Sequence, residues 1–161
     1  MPRVLVTGAT GFIATRIVEQ LLAQGHDVVG TVRSLTNVAA VRPLLELPGA
    51  DTRLMLIEAD LLIPGAFDAA VVGCDVVMHT ASPYVLAVKD PQRDLVDPAV
   101  NGTLNVLRSC LTQPSIQRVI VTSSMAAITD EPSSDHVLTE ADWNTKSSLT
   151  RNPYYFSKTL A

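Results

Sequence analysis

Two kinds of hydrophobic pattern alternate along the chain. Residues 3–7, 27–32, 53–58, 76–79 and 118–122 are short apolar blocks, as expected of strands buried on both faces of a parallel sheet. Between them the apolar positions take helical spacing. Phe12, Ile13, Ile17, Leu21 and Leu22 define a helix that Gly25 stops. Residues 38–47 predict a helix broken near Pro43, residues 66–72 a short helix after Pro64-Gly65, and residues 94–111 a long one. From 129 to 152 the chain is polar and rich in Ser, Asp and Thr, which predicts a long surface loop with one short helix near Thr139. No repeat, low-complexity tract or linker interrupts this order, so residues 1–161 read as one domain. Strands alternating with helices predict an α/β fold with a doubly wound parallel sheet.

In such a sheet ligands bind beyond the carboxyl ends of the strands, and the first strand feeds that crevice. Here it runs into "VTGATGFIA". Gly8 allows a tight turn, and Gly11 lets a pyrophosphate approach the helix N-terminus, where unpaired N–H groups and the helix dipole favour anions. Ala14 stands at the third glycine position and is small enough to keep the helix close to the sheet. Glycines also end strands for steric reasons alone; the strand–turn–helix context favours a nucleotide. The second strand bears on which one. NAD sites place an acid about 20 residues beyond the glycines to bond the ribose 2′-hydroxyl, whereas this strand ends "VVGTVRS" with Val32 and Arg33. An arginine there can pair with a 2′-phosphate, so NADP is the expected cofactor, the alternative being a solvated loop arginine.

Composition narrows the partners. A chain of 161 residues with 47% hydrophobic content can bury a core, and a net charge of −4 gives no footprint for nucleic acid. Cys74 and Cys110 lie far apart among apolar residues and read as reduced core thiols, which suits a cytoplasmic protein. No apolar run is long enough for a membrane span, and the chain leads straight into a strand without the pattern of a signal peptide. His26, His79 and His136 have no ligand spacing, so no metal is expected. Ser, His and Asp crowd together in "SSDHVLTEAD", but without an oxyanion-hole glycine pattern a hydrolase triad is not expected there. Trp143 and its neighbours read as anchoring that loop by packing rather than as binding anything.

The chemistry lies in "NPYYFSK". Asn152 and Pro153 look like an N-cap and first-turn pair. Tyr154 and Lys158 are four apart and share one helical face. A lysine ammonium near a tyrosine favours the phenolate, and such a tyrosine can donate a proton to a carbonyl oxygen or remove one in reverse.

Taken together, "VTGATGFIA", "TVRS", "EADL", "HTASP", "VNGT", "VTSSMAA" and "YYFSKTLA" make the chain resemble an extended short-chain dehydrogenase/reductase with a Rossmann-type sheet. It is most similar to the dihydroflavonol reductase, cinnamoyl-CoA reductase and methylglyoxal reductase group. The resemblance implies Ser124, Tyr154 and Lys158 as catalytic residues, with Ser124 bonding the substrate carbonyl oxygen and Lys158 also holding the nicotinamide ribose. It implies cofactor contacts at Gly8, Thr10, Gly11, Phe12, Ile13, Arg33, Asp60, Leu61, Thr80, Ala81, Ser82, Tyr154 and Lys158. Asn101 matches a family asparagine of structural role. Ser123 in place of Ser124, and Asp60 as a simple turn cap, are the competing assignments.

Departures from the family pattern bear on the substrate. Thr129 stands where plant flavonoid reductases have a substrate-binding asparagine, which speaks against a flavonoid. Ala40 replaces a lysine that helps hold the 2′-phosphate, so Arg33 must do more of that work. The resembled proteins continue for about as long again past the position of Ala161, so the chain reads as the cofactor half, with the substrate-binding part outside it. The expected activity is NADPH-dependent reduction of a small-molecule aldehyde or ketone. A sugar-nucleotide epimerase or dehydratase, a 3β-hydroxysteroid dehydrogenase-like enzyme and a non-catalytic NADP-binding protein stay open as alternatives.

Overall fold

In a computed structural model of the chain, residues 1–83 and 88–161 are described. The chain divides into two compact units, Met1–Ala81 with Asn105–Thr122, and Ser82–Leu104 with Ser123–Ala161.

The first unit holds a five-stranded parallel sheet in the order β3-β2-β1-β4-β5, made of β1 (Arg3–Val6), β2 (Asp27–Val32), β3 (Leu54–Glu58), β4 (Val76–His79) and β5 (Arg118–Val121). This is the doubly wound order that the pattern predicts, with its switch point between β1 and β4. Alternation along β1 separates two cores. Val4 and Val6 face α1 (Phe12–Ala23) and α2 (Val38–Leu45), where Ala14, Val18, Leu22, Val41 and Leu44 are buried. Leu5 faces the other way, with Val29 and Val77, onto Phe67, Val71, Val106 and Cys110. Cys74 and Cys110 are free and buried, and burial raises both thiols.

Several elements differ from their predicted form. Pro43 does not break α2: the carbonyl whose hydrogen bond it removes belongs to Ala39, which is exposed and open to water. A short helix, α3 (Ala50–Arg53), precedes β3 and takes in Arg53, the first residue of the predicted strand. Residues 66–72 form successive turns rather than a helix. Their bonds mostly reach three residues, as in Asp68 N–H to Gly65 O and Ala70 N–H to Phe67 O, and a stretch that short does not complete a helical nucleus. The long helix begins as a π-helical turn, Gln92–Val96, and continues as α4 (Asp97–Leu111).

In the second unit, α5 (Pro153–Leu160) packs against that π-helical turn and against a 3₁₀ turn, Met125–Ala127. Near Thr139 the chain makes one turn, not a helix. Asp142 accepts from the Thr139 N–H at 2.7 Å, and its own N–H returns to Thr139 O. Trp143 is 61% exposed and anchors nothing by burial; the loop is held instead by its neighbour Asn144, which is 5% exposed. Among the described residues no helix is long and apolar enough to cross a membrane.

Candidate functional site

β1 delivers Thr7 and then Gly8, whose φ of +65° lies in the left-handed region. The Gly8 N–H donates to Thr31 Oγ1 at 3.1 Å, and its carbonyl accepts the Gly11 N–H at 2.8 Å, closing the turn. A Cβ on Gly8 would stand 3.0 Å from the Ala81 Cβ, so conformation and space both demand glycine. Gly11 is the N-cap of α1 and has no side chain to bond the first-turn N–H groups, which leaves that end suited to an anion. Thr10, Phe12 and Ile13 are exposed beside it, and Ala14 is buried against the sheet as its small size allows.

Beyond the carboxyl end of β2, Thr10, Val32, Arg33, Ser34, Asn37 and Ala40 line an open pocket of about 270 Å³. Thr10 belongs to the glycine turn, so one pocket joins that turn to Arg33. Among the described residues no carboxylate lines it. Arg33 is exposed, and the loop after it is fixed from beneath by Glu58 at the end of β3, which accepts the Leu35 N–H at 2.6 Å. Asp60 caps the turn after β3, accepting the Leu62 N–H at 2.8 Å, and the next residue's carbonyl, Leu61 O, accepts Asn105 Nδ2 at 2.7 Å. Asn105 is buried, whereas Asn101, the asparagine singled out in the sequence, is exposed on α4.

Thr80 and Ala81, just after β4, hang on Thr7: both N–H groups donate to Thr7 Oγ1, at 3.1 and 3.0 Å. His79 and Thr7 complete this arrangement through a 2.8 Å contact between Nδ1 and Oγ1. Sequence spacing gives no sign of it, because it joins residues 72 apart.

The second unit carries Ser82, Ser124, Tyr154 and Lys158. Lys158 Nζ donates to Ser82 Oγ and to Pro83 O at 3.1 Å, and lies 5.1 Å from the centroid of the Tyr154 ring. That is a cation–π distance, and it is the shared face predicted from their spacing. Burial lowers the Lys158 pKa. Ser124 begins the 3₁₀ turn, where its Oγ accepts the Ala126 N–H at 3.2 Å and keeps its own proton to donate elsewhere. Ser123 beside it is exposed.

Two residues that sequence reasoning missed hold this group. Asn144 Nδ2 donates to Ala126 O and to Ser147 Oγ, both at 2.7 Å, while Oδ1 accepts the N–H groups of Lys146 and Ser147. Asp130 accepts from Arg151 Nε at 2.9 Å, Ser147 Oγ and Asn152 Nδ2. Its side chain is 1% exposed; burial opposes the charge, but the bonds from Arg151 and Ser147 outweigh it and lower the pKa. Asn152 therefore starts α5 differently from its predicted capping role. Its side chain is turned to Asp130 rather than to the helix, and its backbone takes φ +50°, the only non-glycine residue to do so among those described. The predictable signal was the tolerance of asparagine for that conformation.

The family described as "NAD dependent epimerase/dehydratase family" matches residues 4–161. Cinnamoyl-CoA reductase CAD2 of Medicago truncatula is 48% identical over 166 residues, covering 98% of this chain and 50% of that protein. A putative anthocyanidin reductase of Ginkgo biloba is 47% identical over 165 residues, covering 98% of this chain and 48% of its own length. Among solved structures, Gre2 of Candida albicans in complex with NADPH superposes with a TM-score of 0.88 at 37% identity, over 100% of this chain and 51% of that one. The chain spans about half the length of these relatives.

Proposed function

The chain belongs to the NAD dependent epimerase/dehydratase family, and from that premise we propose that it is the cofactor-binding half of an NADPH-dependent carbonyl reductase. The observation that carries this reading is the Lys158 ammonium 5.1 Å over the Tyr154 ring, in the same unit as Ser124. An ammonium facing the ring stabilises negative charge on the phenol, which is what a proton donor to a carbonyl oxygen develops as it reacts. The related reductase solved with NADPH supports the same cofactor here.

The residues present fit that cofactor. The turn at Gly8 leaves room that a Cβ would fill, the N-terminus of α1 offers N–H groups to the pyrophosphate, and Arg33 stands in a pocket without a carboxylate, suited to a 2′-phosphate. Bound NADPH supplies the hydride. The chain's own residues supply the rest. The Ser124 hydroxyl donates a hydrogen bond to the substrate carbonyl oxygen and stabilises the charge that grows there. Tyr154 delivers its phenolic proton to that oxygen, giving the alcohol, and Lys158 steadies the resulting phenolate. In this reading Lys158 and Ser82 would contact the nicotinamide ribose, and Thr80, Ala81, Asp60 and Leu61 would be further cofactor contacts.

The substrate in this proposal is a small or aromatic aldehyde or ketone, and the activity belongs to a protein about twice the length of the chain, as in the relatives. Steady-state oxidation of NADPH by the whole protein with methylglyoxal and with an aromatic aldehyde tests it. Turnover that falls by about 10²-fold or more in Tyr154→Phe is the expected result. Turnover unchanged in that variant overturns the assignment.

A further inference from the structure

His79 is 3% exposed and Thr7 is fully buried, and the contact between them is the one polar pairing that either side chain makes with another among the described residues. The hydrogen-bond inventory of Thr7 fixes what that contact is. A hydroxyl has one proton and two lone pairs. Both lone pairs of Thr7 Oγ1 are taken by the N–H groups of Thr80 and Ala81. The hydroxyl must therefore donate to His79 Nδ1, and His79 must be neutral with its proton on Nε2. Burial favours the same state, lowering the His79 pKa to about 4.

The consequence reaches the glycine turn. Thr7 is bonded to Gly8 in the chain, its N–H donates to Met78 O at 3.1 Å, and its carbonyl accepts the Thr80 hydroxyl. Ala81 lies so close to the turn that a Cβ on Gly8 would come within 3.0 Å of its own. We infer that His79 is a positioning residue for the cofactor's pyrophosphate: as the acceptor for Thr7 it turns both lone pairs of that hydroxyl onto Thr80 and Ala81 and so sets this segment against the Gly8 turn. The inference rests on the nucleotide reading of that turn and assigns a task to a histidine that its sequence neighbourhood leaves unexplained.

The test compares His79→Leu, which removes the acceptor, with His79→Asn, whose Oδ1 restores one near the position of Nδ1. Each is titrated with NADPH and with adenosine 2′-monophosphate, which reaches the Arg33 pocket but carries no pyrophosphate. His79→Leu is expected to bind NADPH roughly tenfold or more weakly, since a buried hydroxyl loses its acceptor, and to bind the monophosphate as the wild type does. His79→Asn recovers most of the NADPH affinity. Nitrogen-15 spectra of wild-type His79 are expected to show a protonated Nε2 and an unprotonated Nδ1. NADPH affinity unchanged in His79→Leu, parallel loss of both ligands, or a proton on Nδ1 overturns the inference. If His79→Leu does not fold, Thr7→Ser against Thr7→Val repeats the comparison from the other partner. A wild type that binds no NADPH removes the cofactor reading itself, a result distinct from NADPH binding indifferent to His79.

Discussion

In the proposed site Arg33 and Gly8 would act on the same ligand by different physics. Arg33 offers a charge that a 2′-phosphate can pair with and a 2′-hydroxyl cannot. A partly exposed arginine–phosphate pair contributes about 1.5–3 kcal/mol, so Arg33→Ala should lose roughly ten- to a hundredfold in kcat/KM for NADPH and little for NADH. Steady-state kinetics with both cofactors reads this directly, and equal efficiency of the two in the wild type would count against NADPH specificity. Gly8 instead offers an absence. Gly8→Ala places a Cβ at φ +65° and 3.0 Å from the Ala81 Cβ, so it should lower stability by about 1–3 kcal/mol in urea unfolding and weaken NADPH binding as well.

At the scale of elements, the polar stretch 129–152 is held by buried polar groups rather than by apolar packing. The Asn144 side chain makes four hydrogen bonds with the 3₁₀ turn and with the loop that follows. Asn144→Leu keeps the branched outline and orphans those partners, which predicts a loss of about 2 kcal/mol or more and faster amide exchange at Ala126 and Ser147. The start of α5 behaves differently. Asn152 sits at φ +50°, where glycine is at ease and a β-branched residue is not, so Asn152→Gly should be nearly neutral in thermal unfolding and Asn152→Val clearly destabilising. The Val variant should also reduce turnover, because α5 carries Tyr154 and Lys158.

For the molecule as a whole, the buried histidine gives stability a pH dependence of known sign. His79 titrates at about 4 when folded and near 6.5 when unfolded, so the unfolded chain binds a proton that the folded chain refuses. Its contribution is complete above pH 6.5 and is lost as pH falls from there to about 4, amounting to about 3 kcal/mol. Urea unfolding across that range should show the slope in the wild type and a shallower one in His79→Asn. A second consequence concerns the sheet edge. Among the described residues β5 pairs only with β4, and Ile120 and Val121 on it are 42% and 45% exposed. Such an edge invites pairing or association. Residues 1–161 purified alone should therefore self-associate by sedimentation; with the substrate-binding part of the proposed reductase outside them, they should also bind NADPH weakly and fail to reduce methylglyoxal, and turnover equal to that of a longer protein would contradict this.

Local chemistry determined the elements that the sequence announced by itself. Continuous apolar blocks suit a parallel sheet, in which β1 and β2 are largely buried while the edge strands β3 and β5 are not, and helical spacing makes one stripe that must pack; with the glycines of the first turn these give the fold's outline. The pairing of Tyr154 with Lys158 was legible for the same reason, since four residues make one helical turn. The tertiary structure decided what depends on contacts between distant residues. Thr7 meets His79 and Asp130 meets Arg151 only after the chain has folded, and no local pattern encodes either pair. Whether Pro43 interrupts its helix turns on whether Ala39 faces water, and an aromatic side chain such as Trp143 in a polar loop says nothing about whether a surface exists to receive it. Periodicity records which residues must be buried; it does not record which buried polar atoms will find each other, and in this protein those atoms hold the site in shape.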